Sequence, residues 1–305
     1  MVLLSMNNGH LKINMEHETR GMLLGIVAVS AFGLTLPATK LVIPYLDPLF
    51  IGLGRAVLAT LFAVIFLVWF RQSLPTKKQV YRLIIIALGV VIGFPVFSSW
   101  AMQYVPASHG GVVVGLVPLA TAIAGVLISH ERPSIVFWLV GCVGCLMVIS
   151  YTLLQGAGEL HMADVALLLS VISAAVGYAV GAKLSKELGG WQVICWALVI
   201  AFPFILIPAM IYAPEDLFAL PVSVYGGFLY LALISQLFAF FVWYKGLALG
   251  GIARVSQTQL LQPFMTIFAS VLMLGELIDL QTAIFALFIV ATVWLSKQMP
   301  IKQKI

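Results

Sequence analysis

Thr258, Gln262 and Thr266 recur every fourth residue around Pro263, with Gln259 one position off, in a stretch that is otherwise apolar. Four-residue spacing puts side chains on one helical face. Hydroxyls and amides donate and accept hydrogen bonds but carry no charge, so the chemistry open to this stripe is recognition of a polar molecule rather than bond cleavage. A hydrogen-bonding group facing hydrocarbon costs several kcal/mol if unsatisfied, and the stripe is expected to face a bundle interior or a water-filled cavity. The same test, applied at mid-depth of the other apolar stretches, selects Ser30 and Thr35, Ser173 and Tyr178, and Ser235 and Gln236. The rival role for any one of them is an interhelical hydrogen bond, typically worth under about 2 kcal/mol.

Ser99 and Gln103 share another face, with Trp100 and Tyr104 on the adjacent one. Interfacial Trp and Tyr commonly anchor a helix at the membrane surface. Trp100, beside Ser98, Ser99 and Gln103, is also placed to close the outer mouth of a cavity. Trp243 and Tyr244 fall near the cytoplasmic end and read as anchors. The expected substrate-binding set is therefore Ser30, Thr35, Ser99, Trp100, Gln103, Ser173, Tyr178, Gln236, Thr258, Gln259 and Gln262.

Charge is scarce at depth. No Asp or Glu falls at the middle of any apolar stretch, so the cavity is expected to be uncharged and to lack the carboxylate that proton-coupled carriers commonly use. Arg55 is the one ionisable group well inside, and two roles stand open for it. It pairs with an outer acid such as Glu276 or Asp279, the expected role, or it meets a carboxylate on a substrate. His109, at the outer end of its stretch, is the group that titrates near neutrality. Facilitated diffusion or exchange is the default coupling. The three cysteines lie in apolar stretches, and the Cys142–Cys145 pair has no His or second pair nearby, so no metal, redox chemistry or cofactor is expected. A membrane enzyme acting on lipid-type substrates would need a nucleophile, an acid/base pair or an acidic metal-binding cluster near one membrane face, and no such cluster appears in the sequence.

One pattern is written twice. Pro118, Thr121, Ala124, Val126, Leu127 and Glu131 recur as Pro263, Thr266, Ala269, Val271, Leu272 and Glu276, each pair 145 residues apart. Self-similarity at half the chain length means two copies of one unit. Each proline removes a backbone hydrogen bond and kinks its helix, so Pro118 and Pro263 read as a matched pair of hinges. Glu131 and Glu276, directly before the next helix, read as turn residues, since a carboxylate near a helix N-terminus is favoured.

These residues need a membrane scaffold. The chain has 305 residues, 62% hydrophobic and 9% charged, with a mean hydropathy of +1.12. Soluble domains carry about 25% charged residues. Apolar runs of spanning length fall near 21–42, 48–69, 81–104, 107–129 and 134–154, then 163–185, 190–212, 222–246, 253–274 and 279–296. Of the 16 Lys and Arg residues, Lys40 and Arg55 fall within spans and the rest lie on one side when the N-terminus is placed inside. Both termini are thus expected in the cytoplasm. Each copy has an odd number of spans, so the second enters from the opposite face, and the fold expected is all-α: ten transmembrane helices in two inverted five-helix repeats. The repeats cover 21–154 and 163–296, between a disordered tail at 1–20 and a short tail at 297–305. The net charge of +5 sits in loops and tails and does not point to nucleic acid.

The ten spans, Gly33, Arg55, the two Pro-to-Glu segments, Leu274-Gly275-Glu276-Leu277 and the stretch Tyr230 to Leu249 together resemble the EamA-type branch of the drug/metabolite transporter superfamily. His130 departs from the glycine that often precedes the first glutamate. The resemblance implies a cell-membrane exporter or exchanger of small neutral or zwitterionic metabolites such as amino acids. It also implies a central cavity between the halves. The partners expected are a small-molecule substrate and the lipid bilayer, with the chain acting as a monomer and binding no nucleic acid. The alternative within the class is a proton-coupled drug/metabolite antiporter.

Overall fold

The computed structural model describes residues 2–129, 161–216, 219–297 and 301–302, with scattered positions between 132 and 154. His130, Glu131, Cys142, Cys145 and the loop around Glu159 lie outside the described residues, as do most positions of the fifth expected span. What is described is helical, apart from a two-residue antiparallel pairing of Arg132–Pro133 with Ile301–Lys302.

Seven helices among the described residues are long and apolar enough to cross a membrane: Glu16–Val42, Pro48–Trp69, Lys77–Ala101, Ala107–Ile128, Met162–Leu188, Gly190–Ile211 and Val222–Gly250. Their ends fall within a few residues of the apolar runs. Their outer faces carry large apolar side chains such as Trp69, Phe204 and Ile211, each more than two-thirds exposed. Such a surface is at home in lipid. The chain is a multi-pass membrane protein. The first helix runs back to Val2, where a disordered tail was expected. No proline interrupts that segment, and Arg20 pairs with Glu16 one turn away at 2.6 Å, the spacing that supports a helix surface.

Pro118 and Pro263 break their helices rather than bend them, whereas Pro203 and Pro208 lie inside the uninterrupted helix Gly190–Ile211. The expected span at 253–274 is drawn as a helix at Ile252–Val255, a 3₁₀ turn at Ser256–Leu261 and a second helix at Gln262–Leu274. Pro263 has no N–H, and its ring crowds the carbonyl four residues back, so the preceding turn tightens. Pro263 itself sits in the first turn of the new helix, where an N–H is not needed. Pro118 does the same: Ala107–Val114 ends, Gly115 and Leu116 form a turn, and Val117–Ser129 begins. Gly275, at φ +66°, then ends the Gln262–Leu274 helix in the left-handed conformation that glycine adopts without strain.

Two helices widen instead. Ala87–Gly93 and Tyr230–Phe238 are π-helical. Such turns are rare and often mark functional sites. Packing brings them inward. Met162–Leu188 lies against Ala87–Gly93 so closely that a Cβ on Gly89 would stand 2.6 Å from the Ser173 carbonyl oxygen. The first helix meets Ala239–Gly250 equally closely, with a Cβ on Gly21 reaching 2.6 Å from Gly250. Trp243 and Tyr244, expected as surface anchors, are fully buried in this packing. Their rings stack among Phe32, Tyr178 and Phe240, with Tyr178 and Trp243 centroids 5.3 Å apart. Edge-to-face and tilted ring contacts of this kind stabilise a packed aromatic cluster.

Candidate functional site

The first helix is interrupted at Leu34, and the cause is Pro37. In an unbroken helix the Gly33 carbonyl would accept from residue 37, which as a proline has no N–H. Thr266 fills the gap, its Oγ1 donating to the Gly33 carbonyl at 2.7 Å. The Tyr230 hydroxyl donates to the nearby Ala31 carbonyl at 2.5 Å. The π segment at Ala87–Gly93 repeats this logic. Phe94 N–H bonds back to Gly89 in the π register, so the next carbonyl, Val90, would need the N–H of residue 95, again a proline. Gln236 Nε2 donates to that carbonyl at 3.1 Å. Two carbonyls orphaned by prolines are thus satisfied by polar side chains from the other half of the chain.

Between these two crossings lies a narrow, partly enclosed cavity. Phe32, Phe94 and Phe240 wall it, and Thr35, Arg55, Tyr178, Ser235, Gln236 and Gln262 bring polar groups to it. Thr35 Oγ1 and Ser235 Oγ lie 2.8 Å apart and share a proton. Phe32 and Phe240 meet edge to face at 5.1 Å. The cavity offers a water-sized sphere only about 10 Å³, roughly room for one water.

Four of the expected binding residues line this cavity: Thr35, Tyr178, Gln236 and Gln262. The other seven do not. Ser30 bonds its own helix at Ile26 O, 2.9 Å away. Thr258 does likewise at Val255 O, 2.7 Å away, and packs against Gly25. Ser173 packs on Gly93. Gln103 is exposed and donates to Trp100 O at 3.2 Å. Trp100 stacks on Tyr104, 4.9 Å between centroids. Ser99 and Gln259 are buried, with the Ser99 hydroxyl and both Gln259 amide atoms unpartnered.

Arg55 departs furthest from expectation. It is 1% exposed, and its Nε and Nη1 have no hydrogen-bond partner. Glu276, its expected partner, is engaged elsewhere: Oε1 accepts from Ala107 N at 2.8 Å and Oε2 from Ser108 N at 3.0 Å. A carboxylate there satisfies two free N–H groups at a helix start and meets its positive end. Asp279, the other candidate, accepts from Thr282 N at 2.9 Å. The cavity is therefore charged, against the expectation of an uncharged one. The signal was present in the sequence, because an ionisable residue deep in an apolar stretch is a functional candidate by default.

His109 is also not a lone interfacial group. Its Nε2 lies 2.7 Å from Asp164 Oδ1, and both residues are buried. Asp164 Oδ2 also accepts from His161 N at 3.2 Å.

Comparison with known proteins gives this arrangement its class. The EamA-like transporter family matches residues 19–153 and again 161–297. An uncharacterized transporter, YdeK, of Bacillus subtilis is 43% identical over 262 residues, which cover 86% of this chain and 91% of that one. Protein PecM of Dickeya dadantii is 27% identical over 261 residues, 82% of each chain. A solved crystal structure superposes with a TM-score of 0.65 at 17% identity, over 91% of this chain and 98% of its own, a likeness of fold alone. Two successive matches that together take in nearly the whole chain, with a relative this similar along most of its length, place the protein in the EamA-like transporter family of the drug/metabolite transporter superfamily.

Proposed function

We propose that this protein is an alternating-access carrier of small neutral or zwitterionic metabolites such as amino acids, working as an exporter or exchanger in the cell membrane. The observation that carries the reading is the make-up of the cavity. Thr35, Arg55 and Val90 come from the first family match, and Tyr178, Ser235, Gln236 and Gln262 come from the second. A polar site shared by two halves is what a carrier needs in order to expose it first to one side and then to the other. The cavity holds about one water, so a substrate must part the halves to be seated there.

In this reading the chain has ten spans in two inverted five-helix repeats, with both termini in the cytoplasm, and works as a monomer. Supporting the repeat are the paired proline breaks at Pro118 and Pro263 and the paired π segments beginning at Ala87 and Tyr230. The breaks at Gly115–Leu116 and Ser256–Leu261 serve as hinges, since short 3₁₀ or turn segments deform more readily than helix. Exchange down a gradient is the default coupling, because no carboxylate among the described residues lines the cavity.

Reconstitution into liposomes tests the reading. Counterflow of labelled leucine, phenylalanine, threonine and uracil should reveal at least one substrate that moves with the wild-type protein and not with empty vesicles. Movement of none of a broad neutral and zwitterionic panel would reject the carrier assignment.

A further inference from the structure

We infer that Arg55 is the anchor for a carboxylate on the transported molecule, and that the substrate class is an amino acid or related small acid with an apolar side chain. The inference rests on the carrier reading and narrows it. Arg55 stands on the helix Pro48–Trp69 and faces the cavity, buried to 1% exposure with two guanidinium nitrogens unpartnered. None of the ion pairs among the described residues includes it. The neighbours lining the cavity beside it, Tyr178, Thr35, Ser235 and Gln262, are uncharged. A cation taken out of water without a partner is strongly unfavourable. A bound anion resolves the imbalance. The planar guanidinium matches a planar carboxylate with two parallel hydrogen bonds, which a lysine cannot do.

The rest of the cavity fixes what the carboxylate is attached to. Phe32, Phe94 and Phe240 offer aromatic walls to an aliphatic or aromatic side chain. An ammonium group finds acceptors in the Tyr178 hydroxyl and the Gln262 side-chain carbonyl. Gln236 donates its N–H to Val90 O, which leaves its side-chain carbonyl as a third acceptor.

The test uses the full chain purified in detergent and, separately, in liposomes. The probes are leucine and phenylalanine, their amides, their decarboxylated amines (isoamylamine and phenethylamine), and sodium chloride at matched ionic strength. At least one of the two acids should raise the wild-type unfolding temperature, while its amide, its amine and chloride do not. Arg55→Gln should bind that acid at least about tenfold more weakly, as expected for loss of a charged hydrogen bond, and Arg55→Lys should retain part of the response. Without ligand, Arg55→Gln should unfold no lower than wild type.

Four results would overturn the site: equal responses to acid and amide, an equal response to chloride, no response of the wild type to either acid, or an Arg55→Gln protein that responds as the wild type does. Liposomes that move amides and acids alike, with or without Arg55, would leave the carrier standing and remove this site. Stabilisation by an acid through Arg55, with no transport of anything, would leave the site standing and remove the carrier.

Discussion

Thr266 donates its hydroxyl proton to the carbonyl of Gly33 across 2.7 Å, joining two helices that prolines have each broken. Pro37 leaves the carbonyl without its helical partner, and the turn before Pro263 sets the direction of the helix that carries Thr266. The bond is buried, and an orphaned buried carbonyl costs about 1 to 3 kcal/mol. Thr266→Val keeps the shape and should destabilise the protein by about that amount. Adding Pro37→Ala restores an N–H within reach of Gly33, so the double variant should recover part of the loss. Unfolding midpoints in detergent measure both, and a strictly additive pair would show that the two residues do not share this carbonyl.

The two glutamines of the cavity should behave differently. Gln236 holds the Val90 carbonyl, so Gln236→Leu should lower stability by about 1 to 3 kcal/mol as well as impair transport. Gln262 lines the cavity, so Gln262→Leu should leave membrane expression intact and weaken substrate affinity about tenfold. Gln259 is buried, unpartnered and off the cavity, and Gln259→Leu should be neutral or mildly stabilising, because an unsatisfied amide is exchanged for an apolar group. Affinities from counterflow and midpoints from thermal unfolding separate these three outcomes.

Glu276 grips the start of the Ala107 helix through two backbone N–H groups, at 2.8 and 3.0 Å. Glu276→Ala should cost about 1 to 2 kcal/mol, in the range of a lost N-cap. Glu276→Gln, which keeps one acceptor oxygen, should cost less. An alanine variant as stable as wild type would show that this carboxylate contributes nothing there.

The His109–Asp164 pair predicts an asymmetry. Asp164 serves both His109 Nε2 and the His161 backbone N–H, so Asp164→Ala strips two partners and should destabilise by about 1 to 3 kcal/mol or more, the cost of leaving buried polar groups unsatisfied. His109→Gln can still donate one hydrogen bond and should cost clearly less. If transport is exchange, His109→Gln should keep substrate counterflow, and a pH gradient alone should not accumulate substrate with either protein. Uphill accumulation driven by pH in the wild type and lost in His109→Gln would make the protein a proton antiporter.

Orientation is open to chemical labelling. The loop at Glu215 carries acids while Lys77 begins a basic segment, so a cysteine at 215 should react with an impermeant thiol reagent on intact cells and one at 77 should not. Labelling at 77 would reverse the expected topology.

The amino-acid sequence by itself determined the membrane class, the placing of the seven described spanning helices and the family. These follow from local rules: a run of apolar residues must bury its backbone in helix to sit in lipid, and a proline removes a backbone hydrogen bond from any helix it enters. It also marked Thr35, Tyr178, Gln236, Gln262 and Arg55 as polar groups at depth. Tertiary structure alone decided which of them meet. Helical periodicity names a face but not its partner, and a π segment adds a residue to a turn, rotating every later position by about 100°. Ser99, Trp100 and Gln103 lie beyond such a segment at Ala87–Gly93, and they do not reach the cavity. Ser30 and Thr258 were free to bond their own helices, as short hydroxyl side chains do. Arg55 looked like half of an ion pair until packing committed Glu276 to the backbone of Ala107 and Ser108. What remains is a buried charge facing a narrow cavity, and only the folded arrangement of both halves could leave it there.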